Sequence, residues 1–202
     1  MGLLDLFTGS QGLRKAKSIR HGGKPLTEIL EQHRLHFLGL PGGSRANLAG
    51  ADLRLADLQQ ANLTGANLEG ANLEGANLQK SKLVAANLSD AKLRGVDLRN
   101  SDLTEAVLSR ADLTEAQASG IEFFRCDLSG ANFSRANLRN ANFRAANIQG
   151  ARFAGADMGV TILRETDLTG VDLSGVDLST TLMPKGHQPQ ATAPHGAEPK
   201  SH

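Results

Sequence analysis

The chain reads as an all-β solenoid that turns a corner every five residues. Three observations predict it. One five-residue unit runs without insertion or deletion from Ala46 to Thr180, so its central position recurs 27 times between Leu48 and Leu178. That centre is Leu in 20 of the 27 units, and the residue two before it is Ala in 18, so a large and a small apolar residue share one face. Asn or Asp stands just before the centre in 20 units, which supplies turn chemistry at the same frequency. A period of five fits neither a 3.6-residue helix nor a flat two-residue strand. On a helix the centres would scatter around the surface, and on a flat strand they would alternate between faces. A backbone that bends once per unit keeps every centre inside, and successive coils then pair like strands about 4.8 Å apart.

The flanks are read in chain order. Residues 1–25 form a flexible basic segment: Leu3, Leu4, Leu6 and Phe7 precede Arg14, Lys15, Lys17, Arg20 and Lys24. That apolar start suits either a peripheral membrane contact or docking on the rod, and docking is favoured because anchoring takes stronger signals. The start lacks the pattern of a secretory signal or a myristoylation motif. Residues 26–45 hold a helix, read over 26–38, and a turn. Thr27 is the expected N-cap, Leu26, Ile29, Leu30, His33, Phe37 and Leu38 fall on the inward side, and Gly39 and Pro41 end the helix. A solenoid end exposes both apolar interior and an unpaired backbone edge, so this helix is read as the N-terminal cap.

The repeats occupy 46–183. Val171 and Val176 enlarge the small inward positions of the last units, and Leu182 and Met183 follow. They either plug the C-terminal end or leave it to stack on a second copy. Residues 184–202, rich in Pro, Gly, Ala and His, read as a disordered tail.

The repeat A-(D/N)-L-x-x, as in Ala51-Asp52-Leu53 and Ala56-Asp57-Leu58, resembles that of the pentapeptide repeat family. The resemblance implies a right-handed quadrilateral β-helix with four repeats per coil. Carried onto this chain it gives about seven coils, a rod about 30 Å long at the strand spacing, and stacking of residues 20 apart. Leu98 is then a typical inward centre. Phe133 stacks on Phe153 along one wall and Phe123 on Phe143 along the opposite wall. Ala118 is an undersized centre whose missing volume Ile121 is expected to fill. Cys126 stands at a small inward position as a buried hydrophobe.

Nothing in the pattern points to catalysis or to a cofactor. No His lies inside the repeats, no glycine loop cradles phosphate, and the recurring Asp and Asn have a structural reason at each corner. His33 and His36 stand three apart on the predicted helix but have no third ligand at metal spacing. Net charge is +1: residues 1–45 carry seven bases and three acids, and 46–182 carry 13 and 17. Without Trp or Tyr the usual aromatic handles for stacking bases are absent, and the arginines of the second half spread over three walls beside acids, so nucleic acid is disfavoured. No run approaches the roughly 18 apolar residues of a membrane span and the apolar start is a weak anchor, so a membrane partner is disfavoured as well, and no small-molecule substrate is expected.

The expected function is a non-enzymatic, rigid protein-interaction scaffold, bacterial and cytoplasmic, with an unidentified protein partner. Outward Phe124, Val84 and Ile162 on the fourth wall are the candidate contacts, with Val107 and Leu55 as further outward apolar residues. The resemblance also implies two alternatives, a DNA-mimicking protein that protects gyrase or topoisomerase and an effector delivered to a host cell. Duplex DNA shows about 18 charges over about 30 Å, whereas the acids of 46–182 exceed the bases by only four, so the mimic is disfavoured. A homodimer through the C-terminal coil is the remaining partner expectation.

Overall fold

A computed structural model describes residues 12–186. Its dominant feature is a ladder of parallel bridges between residues 20 apart, running from Asn47↔Asn67 to Ile162↔Leu182. Four five-residue units therefore make one turn, and the chain is a β-helix solenoid. Each contact is a single bridge flanked by corners, which is why only one repeat segment, β4 (Ala56–Asp57), counts as a strand.

The five-residue unit follows from simple hydrogen-bond accounting. The centre amide donates to the next turn, as Leu68 N–H does to the Asn87 carbonyl at 2.7 Å. The amide before it donates to the previous turn, as Asn67 N–H does to the Ala46 carbonyl at 2.9 Å. The centre carbonyl accepts from the residue three later, closing the corner, as in Ala71 N–H to Leu68 at 3.0 Å. The residue two after the centre is left-handed in every unit but the last: Gly70 lies at φ 61°, and non-glycine residues such as Asp90 at 58° adopt the same conformation. The Asn or Asp before the centre accepts the amide two residues on, as Asn72 Oδ1 does from Glu74 at 3.1 Å. Its side chain also reaches the turn before it, as Asn142 Nδ2 does to Glu122 Oε1 at 2.7 Å. One residue type thus both makes the corner and links the turns.

The centres and the small residues fill the interior. Leu98, Ala118, Ile121, Phe123, Cys126, Phe133, Phe143 and Phe153 are all buried. Phe133 and Phe153 stack at 5.1 Å and 2° between planes, Phe123 and Phe143 lie 4.9 Å apart, and rings on opposite walls meet edge-on at 5.6–5.9 Å. These are the offset and T-shaped arrangements that ring quadrupoles favour. At four of the polar small positions the group donates to a carbonyl 23 residues back: Cys126 Sγ to Leu103, Thr161 to Leu138, Thr166 to Phe143 and Thr181 to Met158, at 2.7–3.0 Å, whereas Ser101 donates to Leu98 three residues back at 2.6 Å. Ser81 Oγ is buried with no partner, and nothing in the structure explains it.

Before the repeats stand β1 (Arg14–Lys15), a 3-10 turn (Ala16–Ser18), β2 (Arg20–His21), β3 (Lys24–Pro25) and helix α1 (Leu26–Phe37). β1 runs parallel to β4, pairing Arg14 with Ala56, and Arg14 N–H donates to the Leu55 carbonyl at 2.6 Å. Residues 14–25 therefore depart from the flexible segment read from sequence. Ile19 is buried with Leu26 and Ile29 in the same apolar cluster as Leu48, and the backbone of β1 covers part of the first open edge. Leu3, Leu4, Leu6 and Phe7 lie outside the described residues, as do residues 187–202 of the expected tail.

Helix α1 corrects two further expectations. Its N-cap is Pro25, without a side-chain cap bond, while Thr27 sits in the first turn. Leu26 N–H donates instead to the Ile19 carbonyl at 2.8 Å, so the β2–β3 hairpin closes back on itself at the helix start. At the other end Leu40 N–H reaches the Leu35 carbonyl at 3.0 Å and Gly39 N–H the His36 carbonyl at 3.1 Å, with Gly39 at φ 64°. This is a Schellman ending, and Phe37 and Leu38 just before it are 46% and 55% exposed although helical phase put them on the inward side.

The C-terminal turn is looser than the rest. Parallel bridges persist at Arg152↔Asp172 and Ile162↔Leu182, but among the described residues none joins Asn147 to Asp167 or Asp157 to Asp177. Val176 is buried, whereas Val171, Leu173, Leu178 and Met183 are only partly so. Leu182 occupies an outward position beside Ile162 and is 42% exposed, so it does not plug the end.

Candidate functional site

The outward faces are built from three positions per unit, and their charges are organised by the 20-residue ladder. Arg110 straddles Asp90 one turn back, at 2.8 and 2.6 Å. Arg135 and Arg94 both reach Glu115, at 2.7 and 3.2 Å. Arg125 approaches Glu105, Arg144 Glu165, and Arg139 Asp157, at 3.7, 3.0 and 3.4 Å. Arg54 and Arg99 instead clamp the Asp of their own unit, Asp52 and Asp97. The guanidinium bonds hold the carboxyls of Asp52 and Asp90 below the usual carboxylate range. At Glu115 burial works the other way, and the two arginines outweigh it.

The fourth side, centred on Leu63, Leu83, Leu103, Phe123, Phe143 and Leu163, carries the predicted contacts. Val84, Phe124 and Ile162 are all half-buried on it. Phe124 is less free than its outward position suggests. The Arg125 guanidinium lies 4.9 Å from its ring centre and that of Arg144, from the next turn, 5.7 Å. Both are within cation–π range. Ile162 pairs with exposed Leu182, and Val160 at the adjoining corner is 46% exposed. The structure thus gathers Val160, Ile162 and Leu182 at the C-terminal end of this side, while Val84 and Phe124 lie further back along it.

Sequence reasoning missed Val160, and the signal was available: among the left-handed corners it is the one β-branched side chain. Val107, the other outward apolar residue of the central turns, is 37% exposed. Leu55 is half-buried at a left-handed corner, φ 55°.

The histidine pair does not form a ligand set. His33 is fully buried, and its Nδ1 accepts the Ala46 amide at 3.0 Å, whereas His36 is exposed. Among the described residues no group of three or more His, Cys, Asp or Glu is placed to hold a metal ion. Nor is any described helix long and apolar enough to cross a membrane. Burial pushes the Cys126 thiol up to about 12, so it is protonated and unreactive at neutral pH.

The family model for pentapeptide repeats matches in eight copies, over residues 44–79, 81–117, 121–159 and 150–183. No curated protein matches the chain. Among solved structures, a pentapeptide repeat protein from the Arabidopsis thaliana thylakoid lumen is 28% identical with a TM-score of 0.49, over 50% of this chain and 70% of its own. HetL, a pentapeptide repeat protein involved in heterocyst differentiation regulation from the cyanobacterium Nostoc sp. strain PCC 7120, is 28% identical with a TM-score of 0.35, over 70% and 86%. A trypsin-treated form of QnrB1, a plasmid-mediated fluoroquinolone resistance protein, is 21% identical with a TM-score of 0.33, over 66% and 77%.

Proposed function

This chain belongs to the pentapeptide repeat family, and on that footing we propose that it works as a rigid, non-enzymatic scaffold that binds a protein partner. In this reading it is a right-handed, four-sided rod of about seven coils, closed at its N-terminus by the helical cap. The backbone is consumed in holding the rod together, and the three outward positions of each unit are left for recognition. The contact side is the fourth one, where Phe124, Ile162, Leu182 and Val160 supply the apolar surface.

The observation that carries this reading is the pairing of charges. Seven of the 17 acids between residues 46 and 182, namely Asp52, Asp90, Asp97, Glu105, Glu115, Asp157 and Glu165, are in ion pairs with arginines of the rod itself. A duplex mimic needs an unbroken line of free negative charge, about one per 1.7 Å. Neutralised acids suit a surface that is read by shape and by local apolar contacts.

Affinity capture with the parent protein and with Phe124→Ala and Ile162→Ser variants tests the assignment. The expected outcome is a protein partner held by the parent and lost by both variants. A gyrase supercoiling assay run beside it decides the alternative. Inhibition or protection at micromolar protein, unchanged in the two variants, would overturn the scaffold reading in favour of a mimic.

A second reading is supported by the last turn. Its partly exposed Leu173, Leu178 and Met183 leave an apolar end on a turn that lacks two of its bridges to the turn before. A second copy stacked end to end would cover that apolar end.

A further inference from the structure

Six large apolar side chains among the described residues are markedly exposed, and three of them, Phe37, Leu38 and Leu40, fall within four consecutive residues at one end of the molecule. The other three, Val107, Val160 and Leu182, are dispersed along the repeats. The trio is not a frayed end. The Schellman bonds fix Gly39 and Leu40, and the chain beyond them is tied back to the helix by Ser44 N–H on the Gln32 carbonyl at 2.9 Å. Gly43 is packed so tightly under the last helical turn that a Cβ there would lie 2.3 Å from the His36 nitrogen. A backbone tied to the helix on both sides of the turn therefore presents three apolar side chains to water.

The same cap is strongly cationic. Residues 12–45 carry Arg14, Lys15, Lys17, Arg20, Lys24, Arg34 and Arg45 against Glu28 and Glu31, a net charge of +5. Residues 46–186 carry 14 bases and 17 acids, a net charge of −3. Arg14, Lys24 and Arg34 face acids. Lys15, Lys17, Arg20 and Arg45 are exposed and in no ion pair among the described residues. Arg34 and His36 immediately precede the apolar trio in the helix's last turn.

We propose that this cap docks on an anionic lipid surface, with Phe37, Leu38 and Leu40 entering the headgroup region and the unpaired lysines and arginines facing the lipid charges. Lasting attachment to a membrane takes two signals, and an apolar insertion combined with a basic cluster is such a pair. The trio projects from the C-terminal end of the helix, and the cap that carries it holds an excess of bases, which matches a planar, negatively charged acceptor. The opposite charge of the rod fixes the geometry: the −3 body is repelled by the surface that attracts the +5 end, so the rod stands away from the lipid and leaves its fourth side free. In the sequence only the apolar start offered a membrane signal, too weak to favour one; Phe37 and Leu38 lay on the inward side by helical phase, and they are exposed in the structure.

Flotation of the full chain with vesicles tests the proposal. Binding is expected to phosphatidylcholine vesicles that contain phosphatidylserine and not to phosphatidylcholine alone, and it is expected to fall as salt is raised. The Phe37→Ser, Leu38→Ser, Leu40→Ser triple variant is expected to keep the parent melting temperature, because these side chains are exposed, and to bind more than about tenfold more weakly. Lys15→Glu, Lys17→Glu, Arg20→Glu is expected to do the same through charge. No binding to the mixed vesicles, or undiminished binding by either variant, would overturn it. So would sedimentation velocity in which the parent self-associates without lipid and the serine variant does not, since that outcome gives the patch to a second copy.

Discussion

At the scale of the residue, the corner is where the five-residue unit costs most. Its last position needs positive φ, which glycine adopts freely and other L-residues adopt at a cost of about 1–2 kcal/mol. Asn and Asp are the usual exceptions, because their side chains bond locally. Val160 breaks this pattern, as a β-branched residue at φ 59° that is also 46% exposed. The equivalent corner one turn earlier is Asn140, at φ 57°. Val160→Asn is therefore expected to stabilise the protein by about 1 kcal/mol, read as a raised midpoint in thermal or urea unfolding. A lower midpoint would mean that Val160 is held by packing, not tolerated against strain. Strained positions that persist tend to be functional, so this variant is also expected to weaken capture of the partner proposed for the fourth side.

Inward residues of the central turns were legible in the sequence, since a strict period names each of them: Leu98, Ala118, Ile121, Cys126 and the four phenylalanines are buried where the period puts them. Outward residues were legible in position and not in environment. Nothing in the spacing says that Arg125 and Arg144 close over Phe124, because that depends on rotamers chosen across two turns.

At the scale of the element, the cap depends on one buried histidine. His33 Nδ1 accepts the Ala46 amide where the chain enters its first repeat, and Nε2 is buried without a hydrogen-bond partner. A ring that accepts at Nδ1 is neutral, and burial lowers its pKa, with His36 and Arg45 pushing the same way and the Thr64 backbone opposing weakly. The acids nearest in the helix are already engaged, Glu31 by Arg34 and Glu28 by Lys24. The folded pKa of this base therefore lies below its unfolded value near 6.5. Above that pH neither state binds the proton and stability is complete. Below it the unfolded chain takes up the proton first, so stability is lost as pH falls from about 6.5 towards the folded pKa. Thermal melts of the parent and of His33→Gln at pH 7.5 and pH 5.5 are expected to show the larger acid loss in the parent. Equal losses would mean that His33 does not govern the cap.

The helix itself was legible in its bounds to within a residue. Its N-cap and the exposure of its last turn were not, because the β2–β3 hairpin supplies the first and the second depends on what packs over that end, and neither leaves a periodic trace.

At the scale of the whole molecule, a solenoid has no distant contacts to rescue a weak end. Each turn is held by its neighbours alone, so stability is close to a sum of local terms. Central turns bury four large centres each, at about 1.5–3 kcal/mol per side chain, and bond both neighbours on every side. The N-terminal turn gains β1 and the helix. The last turn is bridged on two sides of four, and Leu173 and Leu178 are only partly covered. That asymmetry could not be read from the repeat, whose letters continue unchanged through Val176-Asp177-Leu178 while the hydrogen bonds thin out.

Hydrogen exchange should expose it. Amides between residues 66 and 146 are expected to exchange last, and those of 167–180 first, by local opening of the terminal turn well before global unfolding. Uniform protection to residue 180 at every protein concentration would show the terminal turn to be as firmly built as the others. If a second copy stacks on that end, the same amides gain protection as concentration rises while the central ones do not change, because association stabilises only the groups it covers. The exchange profile thus reads both the weakness of the end and what covers it.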